Sequence, residues 1–172
     1  MQNDFIIVGP LAAPAGIQGT PKAFDALQKI AQAQALFISR ADDSGTHKME
    51  LGLWKAAGIQ PGGSWYQETG QGMGASLKFA SEKAAYILTD RATYLSLKGG
   101  LDLAILMEGD AVLYNVYHVM VVNPEKHPGV NQVGATAFAD YLTSAEVQKV
   151  IGEFGKGRFG QPLFFPDAGK PE

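Results

Sequence analysis

Between Phe37 and His47 the chain reads Phe-Ile-Ser-Arg-Ala-Asp-Asp-Ser-Gly-Thr-His, a stretch that concentrates side chains suited to holding a small anion. Arg40 offers a planar fork of N–H donors that matches an oxyanion, and Ser44 and Thr46 add hydroxyl donors on either side of Gly45. The apolar run Leu36-Phe37-Ile38 is of strand type and a helix-like sequence follows the loop, so these donors fall at a helix N-terminus. Unpaired N–H groups and the macrodipole favour negative charge there. A plainer reading of the same residues stays open, in which Asp43 or Ser44 caps the helix while Arg40 pairs with Asp42 or Asp43.

Two later junctions repeat the form. Trp65-Tyr66 leads into Thr69-Gly70-Gln71-Gly72-Met73-Gly74 and a helix over 75–83; a strand over 84–88 leads into Thr89-Asp90-Arg91-Ala92-Thr93 and a short helix toward Leu97. In an open α/β sheet such junctions gather at the carboxyl ends of the strands, where ligands bind. The candidate ligand-binding residues are therefore Arg40, Ser44, Gly45, Thr46, Gly72, Met73, Gly74, Asp90 and Arg91. Around them, Phe5-Ile6-Ile7-Val8 reads as a strand buried on both faces and closed by Gly9-Pro10, with Leu103–Leu106 another. Thr20-Pro21 reads as N-cap and first residue of a helix carrying Phe24, Leu27, Ile30 and Ala31 on one face. Tyr117–Val122 reads as a longer strand stopped by Asn123-Pro124. Beyond it lies a helix whose Val133, Ala137, Phe138, Tyr141 and Leu142 face a core. Thr143-Ser144-Ala145-Glu146 is a capping box ahead of Val147, Val150, Ile151 and Phe154, and Gly169–Glu172 is a loose end.

With 172 residues the chain is one ordinary domain or two small lobes. Fourteen basic and seventeen acidic residues, a net charge of −3, argue against nucleic-acid binding and give no polybasic membrane patch. The lack of cysteine excludes disulfides, thiolate metal sites and thiol nucleophiles. Met1-Gln2-Asn3-Asp4 lacks the charged-then-apolar order of a signal peptide. Catalysis has little support: His47, His118 and His127 have no partner at metal-ligand spacing, and Ser44 lacks the glycine of a nucleophile elbow. Asp42, Asp43 and Asp90 read better as orienting Arg40 and Arg91. Gly70-x-Gly72-x-x-Ala75, with Asp90 twenty residues after Gly70, fits a dinucleotide fingerprint and supports the alternative of a nucleotide- or phosphate-binding enzyme using the Gly70–Gly74 loop. Against it, Ser64–Thr69 makes a poor buried parallel strand. Trp54, Trp65 and Tyr66 read as packing residues rather than a stacking platform.

The segments Asn3–Pro10, Phe37–His47, Trp65–Gly74, Leu88–Thr93, Gly152–Gly155 and Phe159–Phe164 together resemble the tungstate-binding substrate proteins of ABC transporters, within the type II periplasmic binding protein class. The resemblance covers nearly the whole chain. It implies an α/β fold of that type with one complete lobe plus part of the second: residues 10–114 form the second lobe, and 1–9 with 115–172 a partial first lobe. It implies non-catalytic binding of a tetrahedral oxyanion, tungstate or molybdate, with no cofactor, no metal cation and no nucleic acid, an ABC-transporter permease as partner, and a periplasmic or extracytoplasmic location. An oxyanion-sensing domain is a further alternative. By the resemblance Arg40 is the charged ligand with Ser44 and Thr46 beside it, and Gly72-Met73-Gly74 and Asp90-Arg91 line the same cleft. Two departures stand out. Ala41 replaces the family's usual glycine, a change that tightens the loop. The family's N-terminal lobe segment has no counterpart before Asn3, which leads to the expectation of a fragment with a half-built site, or of a second chain completing it as a homodimer or by strand exchange.

Overall fold

A computed structural model of the chain describes residues 1–170, so the last two positions of the loose end expected at Gly169–Glu172 lie outside the described residues. In order the elements are β1 (Gln2–Pro10), α1 (Ala23–Gln32), β2 (Phe37–Ser39), α2 (Gly45–Ala56), β3 (Tyr66–Glu68), α3 (Met73–Glu82), β4 (Tyr86–Asp90), α4 (Arg91–Leu97), β5 (Leu103–Met107), β6 (Tyr114–Val116), α5 (Gln132–Thr143), α6 (Ala145–Glu153) and α7 (Lys156–Phe159). They fall into two compact units, one of Asp4–Tyr114 and one of Met1–Asn3 with Asn115–Glu172.

The sheet runs β3-β2-β4-β1-β5, and β6 pairs with β1. β2 pairs in parallel with β3 (Phe37 opposite Tyr66) and with β4 (Phe37 opposite Tyr86). β1 is antiparallel to both of its neighbours, β4 and β5. The apolar run of β1 is buried on both faces because side chains alternate across a strand. Phe5 and Ile7 join one cluster with α1 and α2 residues such as Leu27, Ile30, Leu53 and Trp54. Ile6 and Val8 join the other with Met73, Leu77, Ala80 and Tyr94 of α3 and α4. The larger unit is thus a helix–sheet–helix sandwich, and each such side chain withdrawn from water stabilises it by about 1.5–3 kcal/mol. Gly9 is required where it stands: a Cβ there would lie 2.6 Å from the Tyr86 ring and 2.9 Å from Leu106.

Local boundaries differ from the sequence reading for definable reasons. α1 starts at Ala23 rather than Pro21, and Lys22 at its N-cap makes no side-chain cap bond. The cap comes from elsewhere: Ala23 N donates to Asp110 Oδ2 at 2.9 Å. β4 begins at Tyr86 rather than Ala84 because Ala84 adopts φ +49° and Ala85 N donates to Ala80 O, a left-handed turn that closes α3.

In the smaller unit the strand expected over Tyr117–Val122 does not form; the strand is Tyr114–Val116, and Tyr117 N donates to Met1 O. The core face expected for α5 is also absent, since Val133 is 83% and Phe138 60% exposed, and Tyr141, Val150 and Phe154 are exposed as well. Leu163 is the one buried large apolar side chain among the described residues of this unit. Helical spacing sets which side chains share a face, not whether anything covers it. Ser144, not Thr143, caps α6, accepting from Val147 N. No helix among the described residues is long and apolar enough to cross a membrane.

Candidate functional site

β2, β3 and β4 run parallel, so their C-terminal residues Ser39, Glu68 and Asp90 end at the same edge of the sheet, and the loops into α2, α3 and α4 start there. Arg40 follows Ser39 directly. Its Nη2 pairs with Asp42 and its Nη1 donates to Thr46 Oγ1 at 3.3 Å. Its Nε is buried and has no hydrogen-bond partner. Asp42 Oδ1 accepts from Ser44 N at 3.2 Å, and the Ser44 hydrogen bonds, opposed by burial and aided by Arg40, hold its carboxyl below the usual range. Ser44 caps α2 by accepting from His47 N. Both plain contacts anticipated from sequence are therefore present, and they leave the buried Nε of Arg40 without a partner. The loop holding it is unusual in its backbone, because Ala41 and Asp43 both take left-handed conformations, φ +48° and +58°.

One turn after Thr46 on α2 lies Glu50, which sequence reasoning passed over. It is only 3% exposed. Its Oε1 accepts from Tyr66 OH at 2.7 Å and Trp54 Nε1 at 3.2 Å, and its Oε2 accepts from Ser39 Oγ at 2.8 Å. Burial pushes its carboxyl above the usual value, and the three donors work against that shift. Burial, then the neighbouring Glu50, push the Tyr66 hydroxyl up in turn. The available signal was Trp54 four residues after Glu50, a donor at helical spacing.

The second junction is fastened to the first by Thr69, also missed as a positioning residue. Thr69 N donates to Ser39 O at 3.0 Å, and its hydroxyl reaches Ser39 O at 3.2 Å and Ser76 Oγ at 2.8 Å. α3 then starts after Gly72 with no side-chain cap bond, so the first N–H groups, from Met73 and Gly74 onward, lack that partner. The Met73 side chain itself is buried in the apolar cluster with Leu77, which leaves its backbone as what it can present at the loop. Gly74 faces Leu97 of α4, and a Cβ there would sit 3.5 Å away.

At the third junction the polar atoms are taken. Asp90 caps α4, with Thr93 N at 2.8 Å and Thr93 Oγ1 touching both carboxylate oxygens. Arg91 holds neither Asp90 nor Asp42. Instead it grips Asp4 of β1 through Nε at 2.8 Å and Nη2 at 2.6 Å, and Glu108 at 2.6 Å. The Asp4 pair raises its guanidinium above the usual arginine range against the pull of burial. Thr69 thus ties the strand end that leads into Arg40 to the start of α3, while Asp90 and Arg91 at the neighbouring strand end are bonded to Thr93, Asp4 and Glu108. The dinucleotide geometry is not met, since β3 is a three-residue edge strand and Asp90 is committed to Thr93. Among the described residues no group of three or more His, Asp or Glu side chains is placed to hold a metal ion.

Parallel strands that end beside a partly buried arginine and a helix start without a side-chain cap form an α/β arrangement of the type II periplasmic binding protein kind. The chain belongs to the PBP superfamily domain family, whose model matches residues 1–146. It is 49% identical over 99% of its length to the tungstate-binding protein TupA of Peptoclostridium acidaminophilum, and 47% identical over 98% to a putative ABC transporter anion-binding protein of Haloferax volcanii. It spans 60% and 50% of those two relatives' own lengths. Among solved structures it is similar to the tungstate-binding protein TupA from Desulfovibrio alaskensis G20, with TM-score 0.85, 44% identity, and coverage of 98% of this chain and 68% of that one.

Proposed function

We propose that the chain binds a tetrahedral oxyanion, tungstate, without converting it, as part of the substrate-binding component of an ABC transporter. The observation that carries this reading is the buried Nε of Arg40, which no protein atom satisfies. A buried donor left unpaired costs about 1–3 kcal/mol, and an anion oxygen seated there would recover that and add a charge-assisted bond. The names of the relatives, which bind tungstate or an anion, support the choice of ligand. In this reading Arg40 supplies the charge. Ser44, Gly45 and Thr46 line the α2 side, and the N–H groups of Gly72, Met73 and Gly74 line the α3 side. Asp90 and Arg91 shape the rim through Thr93, Asp4 and Glu108. The unit of Asp4–Tyr114 acts as one lobe, rather than residues 10–114, and Met1–Asn3 with the chain from Asn115 onward acts as part of the other. A permease is the partner, and the working location is outside the cytoplasm. The nucleotide reading has lost its ribose carboxylate to Thr93, and no observation favours a sensor over a transport component.

Titration calorimetry with tungstate, molybdate, sulfate, phosphate and NAD tests the proposal. Tungstate heat that weakens about 10- to 150-fold in Arg40→Ala, the loss of one charge-assisted bond, is the expected result. Molybdate, of equal charge and like shape, is the competitor to rank. Heat from NAD with all four oxyanions silent overturns the reading.

A further inference from the structure

We infer that Glu50 is a positioning residue for this site: it fixes Ser39, and through Ser39 the left-handed turn that presents Arg40. The affinity arm of the argument rests on the oxyanion reading; the structural arm does not. Glu50 divides its two oxygens between an anchor and a relay. Oε1 is held by Tyr66 OH and Trp54 Nε1, whose rings pack with each other and with Phe37 and Trp65 at centroid distances of 5.1–6.4 Å. Oε2 takes the single hydroxyl hydrogen of Ser39. With its hydrogen committed, Ser39 Oγ turns a lone pair toward the loop and accepts from Ala41 N at 3.3 Å.

That contact lands where the backbone needs support. Ala41 at φ +48° and Asp43 at φ +58° flank Asp42, the partner of Arg40, and each such non-glycine residue costs about 1–2 kcal/mol. Strain of this size persists only where the surroundings over-determine it. Thr69 already clamps the carbonyl of Ser39 from the β3 side, through both its N–H and its hydroxyl. The Ser39 hydroxyl is then the link that transmits the rigid aromatic cluster to the turn, and Glu50 sets its direction. A residue serving the core alone would have no reason to be a carboxyl, because apolar side chains of similar volume fill such sites without the desolvation penalty.

The test uses the full chain with sodium tungstate in calorimetry, and amide hydrogen exchange of the ligand-free protein. Ser39→Ala, a small change in a buried strand, and Glu50→Leu are each expected to weaken tungstate binding at least tenfold. The double variant is expected to be no weaker than the poorer single one, because both cut the same relay. Glu50→Gln, which can still bond to Ser39 and to the Tyr66–Trp54 pair, is expected to stay within about threefold of the parent. In the ligand-free protein Ser39→Ala and Glu50→Leu should each speed exchange of the Ala41 amide at least tenfold while Ile7 in β1 is unchanged. Tungstate binding within twofold of the parent in both single variants, additive losses in the double, or an unchanged Ala41 exchange rate overturns the inference. If the parent itself binds no oxyanion, the functional reading fails, and the exchange measurement still judges Glu50.

Discussion

Ala41 carries a methyl group in a conformation that glycine adopts without strain, one residue past the arginine of the proposed site. Ala41→Gly is therefore expected to raise stability by about 0.5–1 kcal/mol in denaturant titration, the relief of left-handed strain outweighing the added freedom of the unfolded chain. Glu50 gives a pH signature of definite sign. Its folded value lies above the ordinary 4.5, so between the two the folded chain holds a proton that the unfolded chain has released. Stability should fall as pH rises through that window, and Glu50→Gln should flatten this part of the melting-temperature profile. Residue-level features were readable from sequence where partners lie close along the chain. Arg40 with Asp42 and the Ser44 cap span a few positions. Ala41 was read as merely tightening the loop, because composition does not reveal φ. Glu50 with Ser39 and Tyr66, and Arg91 with Asp4 at a separation of 87 residues, are brought together by strand pairing and by the helices that follow those strands, and had no local signal.

The helices show the same division between what is local and what is borrowed. α1 takes its cap from Asp110, whose carboxyl burial alone would raise, but donation from Ala23 and Val112 and the nearby Lys22 bring it below the usual value. Asp110→Ala should cost about 1 kcal/mol. The contribution is present above the ordinary 3.8 and lost as pH falls through the lower folded value, so thermal melts of parent and variant should converge at the acid end. The continuous apolar run of β1 and the apolar face of α1 were legible because a strand covered on both faces needs unbroken apolar residues and a helix lying on a sheet needs one apolar stripe. The direction of β1 was not, since parallel and antiparallel strands share one pattern when both faces are covered. Tyr117–Val122 and α5 mark the opposite failure: their sequences carry strand and helix patterns that presuppose a layer to pack on.

The whole chain therefore joins a unit with apolar clusters on both faces of its sheet to a unit whose helices bury almost nothing. Large apolar side chains gathered in the open mark surfaces that associate. We expect the full chain to exceed 18.3 kDa in light scattering at micromolar concentration, and Phe138→Asp to reduce that mass while leaving the far-ultraviolet spectrum intact. A monomer that binds tungstate at full strength would remove the case for a second copy. The place of β1 also bears on how the molecule comes to exist. β1 sits between Tyr86–Asp90 and Leu103–Met107, strands that leave the ribosome long after it. Ile6, Ile7 and Val8 must wait through the synthesis of α1 to α3 before the first partner strand follows, a sticky intermediate of the type that holdase chaperones shelter.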